Sequence, residues 1–166
     1  MLTIERLQAH NQTNVLNLSV LDAQKAFVGD IANIIEQSST QSSVSQWVIW
    51  HDSTPVGFFL LDRSYSSRYS FCPQGSVGLR SFFIDQRYQG RGFARLALEQ
   101  IAYHYSTWLG EEVGDLYLTV NCKNQTARSL YLKLGFNDTQ RLYLGGEAGP
   151  QHIMCLTSKR EAKIGL

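Results

Sequence analysis

Near the middle of the chain the spacing of apolar residues changes from one period to another. Leu79 to Ile84 is an apolar run broken only by Arg80 and Ser81, whereas Phe93, Ala97, Ile101 and Tyr105 recur every four residues. The run, with Val77 at its head, predicts a strand and the spacing predicts one face of a helix. Between them lies Gln89-Gly90-Arg91-Gly92-Phe93-Ala94, so the order is strand, glycine turn, helix. Gly110 is placed to close that helix.

The same reading extends in both directions. Leu2, Ile4 and Leu7 alternate as a short first strand, and Leu16–Val20 is a brief apolar stretch. From Asp22, an N-cap type, a helix is expected to about Gln37 with Ala23, Phe27, Ile31, Ile34 and Ile35 as its stripe. Trp47–Trp50 and Val56–Leu61 read as a hairpin around His51–Pro55, and Ser64–Gly75 as a loop. Leu116–Val120 is a further strand, Thr126–Leu134 a short helix closed by Gly135, and Phe136 and Leu142–Leu144 extended chain. The glycine-rich Gly145–Pro150 loop precedes a last strand, His152–Leu156, and a polar tail from about residue 158 to 166. A meander followed by strand–helix–strand predicts an α/β fold: one domain, a mixed and largely antiparallel sheet, helices on both faces.

Composition narrows the function. The 166 residues are 43% hydrophobic and 17% charged, which suits a globular core. Net charge is +1 with no basic tract, against a protein that binds nucleic acid mainly by neutralising phosphates. No apolar run reaches the ~18 residues of a membrane span, and Met1–Arg6 does not resemble a signal peptide. Cys72, Cys122 and Cys155 are odd in number and lack zinc-ligand spacing, so no metal is expected. Reduced thiols fit a cytoplasmic location. Aromatic residues such as Trp47, Tyr65 and Tyr69, read as exposed, leave a homodimer open.

The glycine turn carries the first chemistry. A helix start offers N–H groups without internal partners and the positive end of the helix dipole, and glycines let a ligand come close. Arg87, Arg91 and Arg95 add positive charge. Such a site suits a phosphate or pyrophosphate. A Walker loop would need Gly-Lys-Ser/Thr, which is missing, and a dinucleotide fingerprint would need a small residue where Arg95 stands. Two readings remain, an ordinary glycine turn and a coenzyme A pyrophosphate loop. For the second, Gln89-x-x-Gly92-x-Ala94 resembles the Gln/Arg-x-x-Gly-x-Gly/Ala motif of the GCN5-related N-acetyltransferases (GNAT).

A second motif extends the likeness. Asn124, Ala127, Tyr131, Gly135 and Phe136 are similar to that family's pattern Asn-x-x-Ala-x-x-x-Tyr-x-x-x-Gly-Phe after a strand. The two motifs fall in the family's order over about the last half of the chain. Leu18-x-Val20-x-x-x-Gln24-x-x-Phe27-Val28 also resembles bacterial spermine/spermidine acetyltransferases of the family, over a shorter stretch. Asn124 and Tyr131 lie two helical turns apart, so both can serve one face. For Tyr131 a half-buried core tyrosine, and for Asn124 a simple cap, are the structural alternatives.

The resemblance implies a GNAT-like sheet with a splayed central strand pair, and acetyl transfer from acetyl-CoA to a primary amine. Gln89, Gly90, Arg91, Gly92, Phe93 and Ala94 would hold the pyrophosphate, and Asn124 the pantetheine amide. A fourth-strand N–H around Phe82 to Ile84 would stabilise the tetrahedral oxyanion, placing Phe83 and Ile84 on the cosubstrate. Tyr131 would give the departing thiolate a proton. The amine must lose its own proton before attack. Many family members carry a Glu on the fourth strand for this, and Leu79–Phe83 has none. Asp85, Glu36, His152 and ordered water stay open as the base, and Arg80 as a pocket charge, an ion-pair partner or an exposed residue. A small amine or polyamine acceptor is the leading expectation. A protein amine, or a coenzyme A sensor without catalysis, are the alternatives.

Overall fold

A computed structural model describes residues 1–158. The elements in chain order are β1 (Leu2–Arg6), α1 (Gln12–Val15), α2 (Lys25–Val28), α3 (Ile31–Ser39), β2 (Val44–His51), β3 (Thr54–Asp62), α4 (Tyr65–Arg68), β4 (Val77–Ile84), α5 (Phe93–Leu109), β5 (Leu116–Asn121), α6 (Gln125–Lys133), β6 (Asn137–Tyr143) and β7 (Gln151–Leu156). The strands form a seven-stranded sheet in the order β1-β2-β3-β4-β5-β7-β6. The β1–β2, β2–β3, β5–β7 and β6–β7 pairs are antiparallel and β4–β5 is parallel. This is the mixed α/β fold expected. None of the helices described is long and apolar enough to cross a membrane.

The chain divides into two compact units, one of residues 1–62 and 79–100, the other of residues 63–78 and from Ile101 onward. In the first, Val48 lies opposite Phe58 and Trp47 opposite Phe59, so alternate residues of β2 and β3 share a face. Val44, Val48, Phe58, Leu60 and Phe83 on one face pack with Ile31 and Ile35 of α3 and with Val15, Leu18 and Val20. The hairpin turn is tighter than expected, with only Asp52 and Ser53 outside the strands. Pro55 is accommodated in β3 because the register shifts there, between Ile49 and Trp50.

The helix expected over Asp22–Gln37 is broken. Gly29 has φ 89° and ψ −170°, which no helix contains, and Asp30 starts a new one by accepting a hydrogen bond from the Asn33 N–H at 3.2 Å. Phe27 is consequently left exposed rather than in the stripe. Trp47 is also not the exposed aromatic expected. It is buried, stacked 6.1 Å from Phe59, with Nε1 donating to Ser45 Oγ at 2.7 Å.

In the second unit β5, β7 and β6 pair from Leu116↔Leu156 to Asn121↔Gln151 and from Asn137↔Cys155 to Tyr143↔Gln151. The parallel β4–β5 ladder joins Val77 to Leu116 and Gly78 to Tyr117, although β4 runs on to Ile84 and β5 to Asn121. This is the splayed pair. Gly78 is where Tyr65 packs, since a Cβ there would lie 2.1 Å from its ring, and Tyr65 too is buried rather than exposed. Gly110 (φ 115°) and Gly135 (φ 96°) end α5 and α6 as expected. Ser158, where the tail was expected to start, is buried and donates its N–H to Asp115 Oδ1 at 2.8 Å. The rest of that stretch lies outside the described residues.

Candidate active site

β4 delivers the chain to the glycine turn through an irregularity. Ser81 has φ 54°, an uncommon conformation for a side-chain-bearing residue in a strand and one that interrupts the pleat. The flanks are anchored. Before it, Arg80 Nη1 lies 3.1 Å from the carboxylate of fully buried Asp62. After it, Phe83 packs its ring 6.4 Å from Phe58 in the core, and Ile84 is buried. Asp85 is fully buried and accepts from Ser19 N–H at 2.9 Å, Arg87 N–H at 2.9 Å and Arg87 Nε at 2.8 Å. Burial alone would raise its pKa, but these donors outweigh it and hold the carboxyl below its usual range.

Gln89 continues the same anchoring. Its Nε2 donates to the Ile84 carbonyl at 2.9 Å and to Gln24 Oε1 at 3.0 Å, and Gln24 Nε2 donates back to Gln89 Oε1 at 3.3 Å. The turn beyond is open. Gly90 (φ 80°) and Gly92 (φ 81°) have no heavy atom within 4 Å of an added Cβ. The first helical hydrogen bond is Leu96 N–H to the Gly92 carbonyl at 3.2 Å. The amides of Phe93, Ala94 and Arg95 precede it and have no helical partner. Of the three arginines, Arg87 is engaged by Asp85 and Arg95 by Glu99 at 3.1 Å. Arg91 lies 5.6 Å from the Tyr88 ring and pairs with no carboxylate among the described residues. The turn therefore offers open amides, small residues and one uncommitted cation, which fits a pyrophosphate.

In the second unit Asn124 caps α6, its Oδ1 accepting the Ala127 N–H at 3.4 Å. Its side-chain NH2 makes no hydrogen bond among the described residues and remains able to donate. Two turns on, Tyr131 is buried with its ring 5.5 Å from Phe136. Its hydroxyl has no hydrogen-bond partner among the described residues, and burial pushes the phenol's pKa well up. Asn121, which the motif reading passed over, is buried: Oδ1 accepts from Lys123 N–H and Nδ2 donates to the Ala148 carbonyl, each at 2.9 Å. It thereby ties the start of the α6 turn to the β6–β7 loop.

Comparison with known proteins decides the family. Residues 16–136 match the family model described as Acetyltransferase (GNAT) family. The chain belongs to this family. It is an acetyl-CoA-dependent N-acetyltransferase. It is 24% identical over 153 residues to the spermine/spermidine N(1)-acetyltransferase of Bacillus subtilis, covering 88% of this chain and 94% of that one. In fold it is similar to the spermidine N-acetyltransferase from Vibrio cholerae solved with CoA and spermine (TM-score 0.72, 18% identity, 97% and 98% covered). It is also similar to the aminoglycoside acetyltransferase AAC(6')-Ib solved with coenzyme A (TM-score 0.77, 17% identity, both chains fully covered).

Within this acetyltransferase the open choices for a base separate. Asp85 has its lone pairs occupied by the Ser19 and Arg87 donors and serves the turn. Glu36 is exposed on α3. His152 is partly buried, with Nδ1 3.7 Å from Asp138 Oδ2, and Asp138 itself is held by Arg128 at 2.7 Å. That Arg128 hydrogen bond, against a smaller effect of burial, keeps the Asp138 carboxyl below its usual range. Arg80 resolves to the ion-pair partner of Asp62. Ser81 was the feature missed: nothing in its identity announces a left-handed conformation. The only signal was the polar Arg80-Ser81 pair interrupting an apolar strand.

Proposed function

We propose that this acetyltransferase moves the acetyl group of acetyl-CoA to a primary amine of a small amine or polyamine. The likeness to the Bacillus subtilis spermine/spermidine enzyme along nearly the whole of both chains carries the choice of acceptor. The neutral amine nitrogen attacks the thioester carbonyl, forming a C–N bond and an oxyanion. Amides of β4 beyond Ser81, around Phe82 to Ile84, stabilise that oxyanion. As the C–S bond breaks, Tyr131 supplies the proton that neutralises the thiolate. Gln89 to Ala94 take the pyrophosphate, with Gln89 acting through its fixing of the turn and Arg91 through its charge. The free NH2 of Asn124 serves a pantetheine carbonyl. His152, backed by Asp138, is the side chain best prepared to accept the amine's proton.

Both units belong to one acetyltransferase domain in this reading, since the family match runs across them. We place the protein in the cytoplasm because its three cysteines, odd in number and widely spaced, suit reduced thiols. A homodimer has lost two of the residues that suggested it, Trp47 and Tyr65, to the interior. The test is an acceptor screen with acetyl-CoA, scored by free thiol release. Polyamines should be turned over with higher kcat/KM than peptides bearing a free α-amine. A preference for peptides would overturn the acceptor assignment.

A further inference from the structure

Five aromatic rings from three separated stretches meet in the second unit, and the mechanism above uses none of them. Tyr65 is the buried floor. Tyr69 lies 4.7 Å from it, and Phe71 stacks on Tyr69 at 5.1 Å and 25°. Tyr143, at the end of β6, stands almost perpendicular to Tyr69 (5.1 Å, 83°) and 6.1 Å from Phe71. Tyr117 of β5 extends the group, 6.3 Å from Phe71. A cluster built only to stabilise the fold would be expected to close over its rings. Here Tyr69, Phe71, Tyr117 and Tyr143 are all left partly exposed, in planes that differ by up to a right angle.

Electrostatics say what such a corner would hold. Aromatic faces carry partial negative charge and attract organic cations. Asp115 lies beside the cluster: its carboxylate accepts from Ser158 N–H at 2.8 Å and from Cys155 Sγ at 3.8 Å. No cation pairs with it among the described residues. Burial first, then the Cys155 sulfur and the Asp115 charge, push the Tyr117 pKa upward, so this ring stays a neutral phenol. Gly145 opens the β6–β7 loop close to Tyr143, where a Cβ would fall 2.6 Å from the tyrosine hydroxyl, so the loop can lie against that ring.

We propose that Tyr69, Phe71, Tyr117 and Tyr143 form a subsite that binds an alkylammonium group of the acceptor through their ring faces. This rests on the amine-acceptor reading and adds the residues that would select a cationic amine over a neutral one. Choline tests it without turnover, because its quaternary nitrogen cannot be acetylated. Titrated into the full chain and followed by NMR, choline should bind at least threefold more tightly than 3,3-dimethylbutan-1-ol, its neutral isostere. Tyr69→Leu and Tyr143→Leu should each weaken choline binding about 3- to 30-fold. Tyr69→Phe and Tyr143→Phe, which keep the ring face, should stay within about twofold of the parent.

With a polyamine acceptor the Leu variants should raise KM and leave kcat nearly unchanged. Equal binding of the isostere, no binding of choline, or Leu variants matching the parent would overturn the subsite. The isostere comparison needs no variant, so a misfolded variant cannot mask the answer. Failure of the amine-acceptor reading would show separately, as no thiol release with any amine.

Discussion

Tyr131 keeps its proton because its surroundings disfavour phenolate. Burial raises its pKa above the ordinary value near 10, and no donor among the described residues stabilises the anion. The group therefore stays protonated over the range in which an alkyl amine begins to lose its proton. If it is the acid, Tyr131→Phe should lower kcat about 100-fold, with KM for acetyl-CoA little changed. The parent kcat should rise with pH as the amine deprotonates and show no falling limb near pH 10; steady-state rates from pH 6 to 10 measure both. Asp85 has the opposite shift and a different role. Its carboxyl is depressed, so its contribution to stability is present above the unfolded value near 3.9 and is lost as pH falls through the folded one. Asp85→Ala should cost about 2–3 kcal/mol at pH 7, and less at pH 3, by urea unfolding at the two pH values. The places of Tyr131 and Asn124 on α6 were legible because helical spacing and capping depend on near neighbours. Whether Asp85 was base or turn residue was not, since Ser19, which settles it, lies far away in sequence.

At the scale of elements, the start of α5 is the best-defined part of the candidate site. Its amides precede the first helical bond, and Gly92 has both a positive φ and open space beside it. A valine there meets two separate penalties. Left-handed backbone costs a branched residue roughly 1–2 kcal/mol, and its methyl groups would stand where a pyrophosphate must approach. Gly92→Val should therefore weaken CoA binding at least tenfold by calorimetry. Gly92→Ala shares the backbone strain with little bulk and should lose less. Equal losses would mean that strain, not obstruction, is responsible. Strand β4, helix α5 and helix α6 could be read from the sequence because each has a single dominant period and a glycine at its turn or end. The Asp22–Gln37 helix misled because its apolar stripe continues across Gly29. Periodicity does not register one residue of left-handed backbone, whereas Gly29-Asp30 read as a stop followed by a cap would have. The Gln24–Gln89 amide pair was illegible for another reason: it joins residues 65 apart in sequence.

For the whole molecule, the question is whether two compact units behave as one cooperative body. Of their three boundaries, one follows β3, between Asp62 and Arg63, and two fall within elements: within β4, between Gly78 and Leu79, and within α5, between Gln100 and Ile101. Neither element can be divided cheaply there. Helical hydrogen bonds run from each residue to the one four before it, so those around Gln100 span the boundary. Melting one part of α5 strips carbonyl partners from the other and leaves a helix end without a cap. Strand β4 is likewise paired with β5 at Val77 and Gly78 and neighbours β3 in the sheet order. The expected outcome is a single two-state transition. Trp47 and Trp50 report from the first unit and Trp108 from the second, where Trp108 and the tyrosine cluster dominate near-ultraviolet circular dichroism once Trp47 and Trp50 are replaced by phenylalanine. Urea transitions followed by tryptophan fluorescence in a Trp108→Phe variant, whose remaining tryptophans both lie in the first unit, and by far-ultraviolet circular dichroism of the same sample, should coincide in midpoint and slope. The double-phenylalanine variant, shifted in midpoint by its altered core, should still give coincident near- and far-ultraviolet curves. Separated curves in either protein would mean that the boundaries within β4 and α5 act as true seams, and that one unit can unfold while the other survives.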